Sequence, residues 1–279
     1  MPIPRVATVD YLNARPLVRG FTHGSRCGEV TLVRGTPARC AQQLSAGEVD
    51  VALIPSIEYL RIPGLTVLPG MAIASRRQAR SVLLVSRVAA AEIRSVALDT
   101  SSRTSAALLR ILLERRSRHR VSYHEMEPHL LRMLETCDAA LLIGDAALLA
   151  RTDGLKVYDL AAEWHAMTGL PFVFAFWAVR PDANLPSLSQ PFLDSKHQGL
   201  AQRESIAQEA ASELGLPVAD LSEYLRSNIY YDLGEEEIRA LWLFYRLARE
   251  SALVEAAREL ALHESGMRTE GGAEWAGAR

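Results

Sequence analysis

Apolar residues along this chain come in short blocks separated by polar or Gly/Pro punctuation, and the blocks alternate between strand-like and helix-like lengths. Residues 5–9, 29–34 and 49–54 read as strands. Residues 13–20 and 37–46 between them read as helical, the second opened by Pro37 in its first turn and closed by Gly47. The block 49–54 is continuously apolar rather than alternating, as in a strand covered on both faces. This β-α-β-α-β order therefore predicts a parallel sheet. Residues 66–75 and 80–86 read as further strands around the basic turn Arg76-Arg77-Gln78. A second alternation follows, with strands at 95–98, 120–124 and 139–143 and helices at 104–116 and 128–135. A helix at 158–167 and a strand at 172–180 complete it. Beyond Pro181 the 3.6-residue period takes over, predicting helices at 189–213, 217–227 and 234–261 before a Gly-rich, frayed end.

Two consecutive α/β units with a helical C-terminal segment predict two lobes. Residues 1–86, joined by 180–279, form lobe one, and residues 87–179 form lobe two. The chain then crosses near Ser86 and Val179 through strand-like segments suited to a hinge. A single long doubly wound sheet is the alternative arrangement of the same elements.

Composition narrows the chemistry. With 49% apolar and 23% charged residues among 279, the chain buries a substantial core without disulfides or metal. A net charge of −2 excludes nucleic acid as a partner, because tracking phosphates needs a basic excess. The longest apolar run, 172–179, is far too short to span a membrane. Three cysteines lack C-x-x-C spacing and read as reduced thiols. The N-terminus runs into the first strand with no charged-then-apolar leader, so the expected location is the cytoplasm. Nothing in the sequence indicates the oligomeric state.

The familiar cofactor signatures are missing: there is no G-x-G-x-x-G, Walker loop or G-x-S-x-G. His124 and His129 lie five apart around Pro128, the wrong spacing for a helical zinc pair, so no metal is expected. Three hydroxyl- and amide-rich segments remain, each just after a strand, where open α/β sheets bind ligands. The first holds Asp10, Tyr11 and Asn13, the second Ser56, and the third Thr100, Ser101, Ser102, Arg103, Thr104 and Ser105. Ser101 or Ser102 is expected to cap the helix that begins there, leaving Thr104 and Ser105 for an anion. Arg103 fits a ligand carboxylate or a plain surface position. Gly144-Asp145 marks a further strand-to-helix switch, where capping explains Asp145 better than acid catalysis.

In order along the chain, these segments resemble a known family. VDYLNARPL at 9–17 is similar to the S-Y-L-N-x-x-P-L signature of the chorismate dehydratases of the futalosine route to menaquinone, with Asp10 in place of the usual Ser. DVALIPSIEY at 50–59, LDTSSRTS at 98–105, LIGDAAL at 142–148, and DLAAEW with TGLPFVFA and Trp177 resemble four further blocks. The resemblance implies a two-lobed type II periplasmic-binding-protein-like fold turned to catalysis. It also implies dehydration of chorismate to 3-[(1-carboxyvinyl)oxy]benzoate without metal or other cofactor. Asn13 and Ser56 are the implied catalytic residues, Asn13 orienting the enolpyruvyl side or the departing hydroxyl. Tyr11, Ser102, Arg103, Thr104, Ser105, Gly144 and Asp145 are the implied substrate-binding residues. The substrate's own enolpyruvyl carboxylate serves as the base. Two other functions fit the same outline: 1,4-dihydroxy-6-naphthoate synthase of the same pathway, and a non-catalytic solute-binding protein for a small carboxylate.

Overall fold

The computed structural model describes residues 3–116, 119–183, 185 and 188–263, so the expected fraying of the last residues lies outside it. The first unit runs β1 (Arg5–Val9), α1 (Arg15–His23), β2 (Thr31–Gly35), α2 (Pro37–Ser45), β3 (Val51–Pro55), α3 (Glu58–Arg61) and β4 (Thr66–Ser75). The second runs β5 (Val82–Ser86), β6 (Ser95–Asp99), α4 (Thr104–Arg116), β7 (Ser122–Met126), α5 (Leu130–Thr136), β8 (Ala139–Ile143), α6 (Gly144–Leu148), β9 (Lys156–Asp159) and α7 (Leu160–Thr168). After these come β10 (Phe172–Val179), α8 (Ser189–Ala201), α9 (Arg203–Leu214), α10 (Val218–Glu223), a π-helical turn at Tyr224–Asn228, and α11 (Glu235–Glu250).

Among the described residues, ten strands form two five-stranded sheets, β2-β1-β3-β10-β4 and β7-β6-β8-β5-β9. In each, three strands are parallel, as the unbroken apolar runs β3 and β8 require, and both of these are buried along their whole length. The sheets are mixed rather than purely parallel, because the fourth strand of each runs antiparallel to its neighbours. In the second sheet that strand is β5, the first of five contiguous in the chain; in the first sheet it is β10, which returns after the second sheet is complete. The crossings therefore lie at residues 76–81 and 169–171, not at Ser86 and Val179. Strand positions follow from local pattern, whereas the choice of sheet is made by pairing with strands about 55 to 120 residues away.

Other departures have local causes. The strand β9 is short and half exposed, so it offers no apolar run, and residues 158–167 read as helix from two residues too early. Helix 189–213 is broken at Gln202, where φ −103° and ψ 18° leave the helical region. The last helix ends at Glu250 rather than Ala261.

One continuous core spans both sheets. Leu108, Leu112 and their neighbours on α4 are buried nearly all round, in the core that α4 shares with α7, α11 and the return strand. The outer face of the second sheet has a small cluster of its own, with Val85, Ala140 and Leu142 under Met133 and Leu134 of α5. On the first unit, α8 presses close against α1. A side-chain carbon added at Gly199 would fall within 1.8 Å of the Pro16 carbonyl oxygen, and Ser195 Oγ donates to the Leu17 carbonyl at 2.9 Å. This contact seats the helix that opens directly after Asn13.

Candidate active site

Residues at the carboxyl ends of β1, β3 and β8, and just after β6, line a cleft at the seam between the sheets. Val9, Pro55, Ile73, Val82, Ile143 and Phe174 give it apolar walls. Its polar lining consists of Tyr11, Asn13, Ser81, Ser102, Thr104 and Ser105, with Arg103 the single cation among the described lining residues. No carboxylate lines it among the described residues.

Tyr11 is held by a relay. Ser101 donates both its backbone N–H, at 2.8 Å, and its hydroxyl, at 2.6 Å, to Asp99 Oδ1. Ser101 Oγ is then an acceptor for the Tyr11 hydroxyl 3.0 Å away. Burial pushes the Tyr11 phenol up to about 12 and raises the Asp99 carboxyl above its ordinary value against the pull of the Ser101 bonds. The Tyr11 ring lies flat against Gly144, whose φ is +59°, and an added Cβ there would come within 2.5 Å of ring carbon Cδ2. Only glycine satisfies both constraints.

At the start of α4 the hydroxyls depart from the expected capping. Ser101 serves Asp99, and Ser102 Oγ is buried with no protein partner. Neither caps the helix, so its N-terminus opens toward the cleft through Ser102, Arg103, Thr104 and Ser105. Arg103 stands 4.0 Å from Glu125 at the rim. Across the seam, Asn13 Oδ1 is also buried without a partner.

Two residues expected at the ligand stand behind the wall instead. Ser56 is fully buried; its hydroxyl donates to the Val173 carbonyl at 2.8 Å and lies 3.4 Å from Thr104 Oγ1. Thr104 Oγ1 in turn accepts the Ile57 N–H at 3.2 Å. Asp145 receives the Leu12 N–H at 3.0 Å and faces a separate surface groove between α1 and α9. Burial raises its carboxyl, opposed by that N–H and by Arg15. Ser56 and Gly144 thus occupy matching places directly after β3 and β8; Ser56 reaches across the seam to Thr104 at the start of α4, and Asp145, next to Gly144, reaches Leu12 after β1.

Ser81, at the head of β5, lines the cleft, although the sequence offers it only as part of an apolar strand. Its hydroxyl accepts from Tyr224, buried in the π-helical turn, at 2.8 Å. Their separation of 143 residues leaves no local signal for the pair.

Two five-stranded sheets of this plan, with β10 returning to the first past the second and a cleft at their seam, define a periplasmic-binding-protein-like fold. Solved structures agree on that fold. A protein from Archaeoglobus fulgidus superimposes with a TM-score of 0.73 at 20% identity, covering 90% of this chain and 98% of its own. The alkanesulfonate-binding protein of Xanthomonas axonopodis pv. citri gives 0.66 at 17%, covering 91% and 94%. Sequence narrows the class: residues 4–250 match the family described as menaquinone biosynthesis, and the chain belongs to that family. Among curated relatives, the chorismate dehydratase of Thermus thermophilus is 32% identical over 84% of this chain and 91% of its own length. The chorismate dehydratase of Campylobacter jejuni is 29% identical over 86% and 91%.

Proposed function

We propose that this chain is a chorismate dehydratase, a carbon–oxygen lyase that eliminates water from chorismate to give 3-[(1-carboxyvinyl)oxy]benzoate in menaquinone biosynthesis. What carries the reading, beside the named relatives, is a pair of buried polar atoms without protein partners. Asn13 Oδ1 and Ser102 Oγ belong to residues that line one apolar cleft from opposite sheets. An unsatisfied buried polar group costs about 1–3 kcal/mol, so both favour a ligand that supplies hydrogen bonds at two ends.

Chorismate meets that demand. Loss of its ring proton at C3 and hydroxyl at C4 leaves an aromatic ring, a redox-neutral change that releases water. Ser102, Thr104, Ser105 and the first amides of α4 hold one carboxylate, each charge-assisted bond contributing about 1.5–3 kcal/mol. Arg103 adds a positive charge at the rim, and Tyr11 on Gly144 provides the flat face for the ring. Asn13 directs the departing hydroxyl. Asp99 and Asp145 are committed to Ser101 and to the Leu12 N–H, so the substrate's enolpyruvyl carboxylate takes the proton. Ser56 acts from behind, by fixing Thr104. The free thiols Cys27, Cys40 and Cys137 accord with a cytoplasmic enzyme. No helix among the described residues is long and apolar enough to cross a membrane.

Incubating the purified protein with chorismate alone and following the ultraviolet absorbance of the aromatic product tests this directly. Conversion is expected, with Asn13→Ala slower by about a hundredfold. Unchanged chorismate overturns the reading, and tight binding without turnover makes the protein a solute binder instead.

A further inference from the structure

The C-terminal segment reaches the cleft from behind at one polar point. Tyr224 is 1% exposed, and its hydroxyl donates to Ser81 Oγ at 2.8 Å. Ser81 and Asn13 both line the cleft, one from each side of the seam. A serine whose oxygen is occupied by an incoming proton has its own proton free to turn elsewhere, and the open direction here is the cleft. The segment carrying Tyr224 is itself anchored. Asn228 Nδ2 donates to the Gln78 carbonyl at 3.0 Å, and Tyr230 exchanges backbone hydrogen bonds with Ala74. It thus straps the 76–81 crossing that delivers Ser81.

We propose that Tyr224 is a positioning residue of this site: by donating to Ser81 Oγ it turns the Ser81 proton into the cleft. The inference rests on the dehydratase reading. Tyr224 touches no substrate; it fixes the serine that does, and loosening such a group costs rate more than binding. Burial pushes its phenol well above the ordinary range, so it remains a donor throughout the working pH range.

Tyr231 supplies an internal control, being 3% exposed with a hydroxyl that has no partner. The experiment measures kcat, KM and melting temperature for wild type, Tyr224→Phe, Tyr231→Phe, Ser81→Ala and the Tyr224→Phe/Ser81→Ala double variant, with chorismate. Tyr224→Phe is expected to lower kcat about tenfold, the equivalent of 1.4 kcal/mol in the barrier, with KM changed less than about twofold. Tyr231→Phe should keep wild-type kcat. In the Ser81→Ala background, Tyr224→Phe should cost nothing further, because its route to the substrate is already gone. Wild-type kcat in Tyr224→Phe, additive losses in the double variant, or an equal loss in Tyr231→Phe each overturn the role of Tyr224 while leaving the dehydratase reading intact. Should Tyr224→Phe fail to fold, wild-type kcat in Ser81→Ala still overturns it. A wild-type protein inert toward chorismate removes the reading itself, and the proposal with it.

Discussion

The two sheets share one wiring plan and differ in what stands behind it. Each has an exposed edge strand, β2 or β7, two further parallel strands, an antiparallel fourth and a terminal fifth. Even the polar detail repeats. Asp50, just before β3, accepts the Arg5 N–H at the start of β1. Asp138, just before β8, accepts the Arg94 and Ser95 N–H groups at the start of β6. The backing differs: the first sheet lies under α8 and α11 and within the continuous core, whereas the outer face of the second rests on a handful of residues under α5. A repeated strand plan thus fixes where ligand groups emerge, while the added helices decide how firmly each is held. Ser56 and Ser81 show this, since Tyr245 donates to the Ser56 carbonyl and Tyr224 to the Ser81 hydroxyl.

The contrast in backing is open to direct attack. Leu108→Ala, in the continuous core, should destabilise by about 4 kcal/mol and Leu134→Ala, under the outer face, by about 2 kcal/mol, measured by urea denaturation. Equal losses would erase the distinction between the two faces. A smaller effect separates the matched residues after β3 and β8. Gly144→Ala forces a Cβ into the Tyr11 ring at positive φ and should cost about 1–3 kcal/mol together with most of the turnover. Ser56→Ala loses one buried hydrogen bond, about 1 kcal/mol. If Gly144→Ala leaves both stability and kcat at wild type, the tyrosine–glycine face is not a constraint.

The smallest effect tests the repeated aspartates. Side-chain hydrogen bonds from Arg5 hold the Asp50 carboxyl below its ordinary value, and backbone N–H groups from Arg94 and Ser95 do the same for Asp138. A folded-state pKa below the unfolded one gives stability that is present above about pH 4 and lost as pH falls through the folded value. Asp50→Asn and Asp138→Asn should therefore each flatten the acid limb of melting temperature against pH by a similar amount. A full acid limb in both variants would refute the shared role.

Much of this was legible in the chain. The unbroken runs of β3 and β8 announced strands buried on both faces, and the hydroxyl-rich stretch after β6 marked the start of α4 as the polar wall of a cleft. Local pattern could not reveal which sheet would accept β5 and β10, because that choice depends on distant partners. Nor could it separate residues that face the ligand from those that brace them. Ser56 and Asp145 sit in the right loops, yet their side chains turn to Val173 and Leu12. Ser81 and Tyr224 carried no signal, since a serine heading an apolar strand and a tyrosine in a helical tail are ordinary alone.

The late return of β10 also governs when each half can be completed during synthesis. As the chain leaves the ribosome, β1, β2 and β3 can assemble early, but β4 has no neighbour until Phe172–Val179 emerges to fill the gap between it and β3. The later-made second sheet, whose five strands all lie within residues 82–159, finishes first. A nascent chain stalled in that interval would carry an open sheet edge, a surface for chaperones to shield.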